Sequence, residues 1–105
     1  MQQPQTTSRP RGTWGFLTNH AYVLLCIARD PQSRARDIAE QVGITERAAQ
    51  RILADLIADG YVIRTKVGRR NHYKINLRGQ LRHPVFRNLS IGPIIRVLNT
   101  TGGTR

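Results

Sequence analysis

The sequence predicts a mainly α-helical fold with one small β-hairpin and an extra helix at the C-terminal end. Three observations carry this expectation. Apolar residues recur at helical spacing through residues 19–59. After Gly60 the pattern switches to the short alternation of strands, broken at Gly68. Charge is unevenly placed: all six acids lie between residues 30 and 60, whereas residues 61–105 carry ten Lys or Arg and no acid. At 105 residues the chain has room for one compact domain.

Residues 1–12, polar and with two prolines, read as a disordered basic arm. The folded part is expected over 13–99, with 100–105 as a flexible tail. A first helix is expected at 19–29. The Thr18 hydroxyl can cap it, and Leu17 and Tyr22 have hydrophobic-staple spacing. Ala21, Leu24, Leu25 and Ala28 form its apolar stripe, which Val23, Cys26 and Ile27 widen. A helix apolar over most of its circumference predicts burial on two sides, against the core and against a dimer mate. Pro31 ends it.

The second helix, 36–43, turns Ile38, Ala39 and Val42 inward, and Gly43 supplies a left-handed stop. Thr45 then caps a third helix, 46–59, ended by Gly60. Ala49, Ile52, Leu53 and Leu56 form its inner stripe. Counted from Ala49 at 100° per residue, Arg47 and Arg51 fall at about 160° and 200°, on the opposite face. Strands at 61–67 and 72–77 flank a basic turn, Gly68-Arg69-Arg70-Asn71. Residues 78–89 are expected to be irregular. Ser90 can cap a last helix, 91–99, with Pro93 tolerated in its first turn. Its Ile94, Ile95, Val97 and Leu98 need a partner surface.

Several function classes are disfavoured. No apolar run approaches the roughly 20 residues of a membrane span. Arg9 and Arg11 resemble the start of an export signal, but the apolar stretch after them is interrupted and lacks a small-x-small cleavage site. A cytoplasmic, nucleoid-associated protein is expected. One cysteine excludes an intrachain disulfide and a Cys-rich zinc site. His20, His72 and His83 lie far apart, so no metal and no cofactor are expected. The chain lacks H-E-x-x-H, G-x-S-x-G and a P-loop, and its few carboxylates sit in the helical centre, so it is not expected to be an enzyme. A formal net charge of +11 makes a polyanion the leading partner.

Helix, short helix, tight turn, longer helix and basic hairpin is the order of a winged helix-turn-helix, here a three-helix core plus wing. A major groove about 12 Å wide admits one α-helix. The preceding helix props it, and a cationic hairpin reaches the neighbouring minor groove or phosphate row.

The segments RDIAEQVGIT (36–45), ERAAQRILADLIADGYV (46–62) and GRRNHY (68–73) resemble bacterial winged-helix transcription regulators of the MarR and ArsR type. With Leu81-Arg82-His83-Pro84 included, the chain especially resembles small stand-alone regulators of actinobacteria. The resemblance implies sequence-specific binding of double-stranded DNA, with the residues opening the third helix in the major groove. Those are Thr45, Glu46, Arg47, Ala48 and Arg51, with Gln50 at the flank. Arg47 and Arg51 are the candidates for guanine or phosphate, and Thr45 for a phosphate as well as its cap. Gln50 is a candidate for adenine, water or phosphate. Arg36, where many relatives carry a capping Ser or Thr, is a candidate phosphate clamp. Lys66, Arg69, Arg70, Asn71 and His72 are the wing candidates.

Metal-sensing relatives need paired cysteines or a His/Asp cluster, whereas Cys26 lies in an apolar helix and reads as core packing. MarR chains are longer, so only 19–29 and 91–99 remain to build a homodimer and any ligand cleft. The alternative reading is a winged helix that binds RNA or protein without operator specificity. RNA recognition relies on exposed aromatics for stacking, and here most aromatics fall at expected core or strand positions.

Overall fold

The computed structural model describes residues 15–86 and 88–102. The expected arm at 1–12 and the end of the expected tail, 103–105, lie outside the described residues. The elements run α1 (Asn19–Arg29), α2 (Ala35–Val42), α3 (Glu46–Ala58), β1 (Val62–Val67), β2 (Arg70–Ile75), a 3-10 turn (Pro84–Phe86) and α4 (Gly92–Gly102). This is a winged helix with four helices and one antiparallel hairpin.

Two caps fall where the sequence places them. Thr18 Oγ1 accepts from the Ala21 amide at 3.2 Å, and Thr45 Oγ1 from the Ala48 amide at 3.0 Å. Gly43, at φ 88°, ends α2 in the left-handed region. Its N–H and that of Ile44 both return to the Ala39 carbonyl, at 2.8 and 3.0 Å. That turn sets the angle between α2 and α3. One helix start differs from expectation. Helix α2 begins at Ala35 with Arg34 at the capping position, so Arg36 is already inside the first turn. Arg34 has no side-chain acceptor; Asp37 Oδ2 instead accepts from the Arg34 backbone N–H at 3.3 Å.

The core lies where α1 meets α2, α3, α4 and β2. Val23, Ile27, Ile38 and Val62 are fully enclosed, each burial stabilising by about 1.5–3 kcal/mol. Ala49, Ile52, Leu53 and Leu56, the inner stripe of α3, are all buried. Part of the second side expected for α1 is covered within the chain itself: α4 packs on it, with Ile95 of α4 and Ile91 just ahead of that helix in the core. Ile94 and Val97 of α4 remain exposed.

Hairpin register pairs Val62 with Ile75 and Val67 with Arg70, so the loop is only Gly68-Arg69. Gly68 at φ 65° supplies the positive φ that a two-residue loop requires. The four-residue turn expected from composition is thus shortened, because exposed polar residues can pair in a strand as readily as they can form a turn. Arg70, Asn71 and His72 lie on β2.

Residues 78–89, expected to be irregular, form a closed excursion. The Leu81 amide donates to the Leu89 carbonyl at 2.9 Å, and the Ile91 amide to the Gly79 carbonyl at 2.7 Å. Ser90 pairs with Gln80 in a bridge instead of capping the last helix, which starts two residues later. Gly79 is required by close approach: a Cβ there would lie 2.6 Å from Cδ1 of Tyr61. Helix α4 continues to Gly102, into the segment expected as tail.

Two outcomes follow from this packing. Gly43→Ala should cost about 1–2 kcal/mol, because a Cβ opposes the left-handed conformation, and Gly43→Asn should cost less; urea midpoints of the two variants check this. Burial pushes the Cys26 thiol above its ordinary value, with Arg29 partly opposing the shift. The native protein should therefore react slowly with thiol reagents near neutral pH, and denaturant should release the reaction. Equal rates in both states would contradict a buried thiol.

Candidate nucleic-acid interface

Helix α3 is buried along one stripe and carries Arg47 and Arg51, both exposed, on the opposite side. Among the described residues His20 Nε2 is hydrogen-bonded to Asp55 Oδ2 at 2.9 Å, and Arg82 Nη1 is ion-paired with Asp59 Oδ2 at 2.8 Å. Asp55, the acid one turn beyond Arg51, is thus engaged by α1. Glu46 accepts from the Gln50 side-chain amide, at a long 3.4 Å. Neither arginine is held in an ion pair, and both guanidinium groups face solvent.

The wing lies beside α3 and is fixed there. The Tyr73 amide of β2 donates to the Pro31 carbonyl at 2.9 Å, and Arg70 Nη2 donates to the Gln32 carbonyl at 3.0 Å. Tyr73 and Val62 are buried beneath the hairpin. Between wing and helix runs a groove of about 460 Å³. Gln50, Ala54 and Ile57 of α3 line one wall, and Arg64, Arg69 and Asn71 of the hairpin line the other. Ser33 and Arg34 also line it, and none of the lining residues is acidic.

Strand alternation sorts the wing residues. Arg64 and Lys66 share a face with their partners Tyr73 and Asn71, while His72 pairs with Thr65 on the other face. The structure therefore brings Gln50, Arg69, Arg70 and Asn71 together around the groove. Lys66 extends their face along a shallow depression that it shares with Arg64, Thr65 and Asn71. His72 instead lines a separate depression with Ile63, Lys74 and Arg96. Arg36 is exposed on the first turn of α2 and does not line the groove. Thr45 has its hydroxyl engaged as a cap, and Ala48 is half-buried beside it.

Two groove arginines were not singled out by sequence. Arg64 could have been found from the two-residue alternation, since it precedes Lys66 on the same face. Arg34 carried no local signal, because its position depends on how the loop after α1 meets the wing.

Among the described residues, no group of three His, Cys, Asp or Glu could hold a metal, and no helix is long and apolar enough to cross a membrane. On the far side of the molecule an apolar cleft of about 410 Å³ opens between α1, the end of α3 and α4. Leu24, Leu25, Ile91, Ile94 and Leu98 line it, together with the His20–Asp55 and Arg82–Asp59 contacts.

A family model described as the MarR family matches residues 14–70. Among solved structures, the chain is similar to a MarR family protein of Mycobacterium tuberculosis in complex with salicylic acid, with 19% identity and a TM-score of 0.55. That match covers 80% of this chain and 58% of the other, so the chain spans little more than half the length of that relative. No curated protein sequence matches. The structural likeness shows a shared winged-helix fold, the family match covers more than half of the sequence, and the chain belongs to the MarR family.

Proposed function

We propose that this protein is a sequence-specific, double-stranded DNA-binding regulator of transcription that acts without chemistry. The observation that carries the reading is a rigid pairing of two cationic parts. Helix α3 carries Arg47 and Arg51 exposed, and its Gln50, Ala54 and Ile57 face a wing held by Tyr73 and Arg70 across a groove with no acid in its lining. Helix α3 enters the major groove, with Arg47 and Arg51 as readers of guanine or phosphate. Thr45, Glu46, Ala48 and Gln50 complete the face presented by its first turns. Lys66, Arg69, Arg70 and Asn71 grip flanking backbone or minor groove. Arg36 and His72 stand apart from the groove, so their part is confined to outer phosphates. Such a protein works on the nucleoid.

Homodimerisation belongs to the same proposal. The apolar cleft is lined by residues of 19–29 and 91–99, and Ile94 and Val97 stand exposed beside it on α4. An apolar helix face of this kind is covered in the assembled protein by the same face of a second copy. Two recognition helices then meet half-sites about one helical turn apart.

Arg47→Ala or Arg51→Ala should each cost about 1–3 kcal/mol on a duplex selected from a random pool and relax preference at a base pair. Unchanged binding by both variants would remove α3 from the groove. Substituting Arg69 and Arg70 together should weaken all duplexes alike and lower the salt slope by up to about two units. Parallel salt series on duplex DNA and single-stranded RNA test the partner class, and equal or tighter RNA binding overturns the DNA reading. In sedimentation at micromolar concentration the chain should be a dimer, and Val97→Glu should dissociate it. A wild-type monomer that stays unpaired on DNA contradicts the dimer.

A further inference from the structure

The hairpin has a second face. Strand alternation puts Arg64 and Lys66 of β1 on one side and Ile63, Thr65 and Val67 on the other. An outward strand face is usually polar, yet Ile63 is 50% exposed, Val67 65%, and Leu77, just past β2, 42%. Ile63 and Leu77 line an open depression of about 570 Å³ formed with the end of α1 and with α4. Ile27 and Ile95, both nearly enclosed in the core, line it as well. Lys74 and Arg96 bring positive charge, and no carboxylate is in the lining. Exposed apolar patches with polar borders mark interaction sites, and the DNA reading gives these apolar side chains no partner.

The chemistry of the depression narrows what fits it. A phosphate backbone gains from the cations but nothing from isoleucines. A bilayer surface reaches protruding apolar side chains, not recessed ones such as Ile27 and Ile95. A protein segment with apolar and acidic side chains answers both parts of the lining. Strand β2 pairs with β1 on one side and, through the Tyr73 amide, with the Pro31 carbonyl on the other. The surface therefore meets a partner through side chains. An extended peptide draws affinity from strand pairing, whereas a helix satisfies its own backbone. A second copy of this chain does not supply such a helix. Its six acids lie between residues 30 and 60, and the helices there, α2 and α3, have their apolar stripes buried in the core.

We propose that this depression is a docking site for an amphipathic α-helix of a partner protein, with an apolar stripe flanked by Asp or Glu. The helix lays its apolar residues against Ile63, Leu77 and Ile95, and its carboxylates meet Lys74 and Arg96. Because Ile63 and Lys66 lie on opposite faces of the hairpin, the wing holds DNA and the partner at once. That joint role rests on the DNA-binding reading above; the docking surface does not.

The test uses the full chain and a synthetic helix with a leucine stripe flanked by glutamates, held helical by a side-chain staple. Titration gives its affinity, and amide and methyl resonances map where it binds. Shifts should centre on Ile63, Thr65, Lys74 and Ile95. Ile63→Ser and Lys74→Glu, both at exposed positions, should each weaken the probe about fivefold or more, with thermal unfolding as the control for fold. Lys66→Glu makes the same charge change on the other face of the hairpin and should leave the probe's affinity nearly unchanged. A second probe, with serine in place of leucine, should bind far more weakly. The docking site is overturned if the leucine probe does not bind, or if the serine probe binds equally. It is also overturned if Lys66→Glu weakens the probe as much as Lys74→Glu, or if the shifts fall on the arginine face of α3. Probe and duplex DNA should bind together. Displacement of the probe by the duplex, or by phosphatidylserine vesicles, assigns the surface to nucleic acid or lipid and removes the partner helix. A chain that binds no duplex strikes the DNA reading alone, since the probe titrations decide the docking site without DNA.

Discussion

The position of the wing depends on a backbone hydrogen bond between Tyr73 and Pro31. Strand β2 would otherwise present an open edge to solvent, and a two-stranded ribbon alone is marginal in water. Bonding that edge to the loop after α1, and burying Tyr73 and Val62 beneath it, makes hairpin and helical core one body. Arg70 adds a second tie through the Gln32 carbonyl. A cationic hairpin free to swing would lose much of its binding energy to ordering on contact with a partner, and a hairpin already held beside α3 avoids that loss.

Helix α3 is divided by the same logic. Its aliphatic stripe is committed to the core, so the opposite face is free of any packing requirement and can be selected for contacts with a partner. Asp55 and Asp59 lie at the edge of that division and are engaged by His20 and Arg82. These are half-exposed pairs and contribute little to stability. Their larger effect is electrostatic: they keep two carboxylates on the α1 and α4 side, away from the arginine face. Seventeen basic residues against six acids make the isolated chain self-repelling, and an anionic partner relieves that repulsion.

Much of the fold was legible because its signals are local. Thr18 and Thr45 are hydroxyl caps ahead of apolar periodic runs, Gly43 stands where a left-handed residue is needed, and the bounds of α1 and α3 follow from them. Local signals failed where polar residues have more than one use. Arg70 and Asn71 look like turn residues, yet the register places them in a strand. Ser90 looks like a cap, yet the return of the chain past Gln80 takes it into a bridge. Arg36 was assigned to a helix start that lies one residue earlier, at Ala35, with Arg34 at the cap. The site was legible in its arginine pair and its cationic hairpin. It was not legible in Arg34 and Arg64, whose neighbours come from distant parts of the chain.

The sequence by itself determined which helices form, which stripe of each is buried, and that positive charge gathers after residue 60. Those properties depend on residue type at short spacing, which a linear reading captures. The tertiary structure alone decided which basic residues share a groove, that Ser33 is buried without a partner, and that α4 of the same chain packs on α1. Each of these depends on where a loop or hairpin comes to rest against a surface built from elsewhere in the chain, and no short-range pattern specifies that.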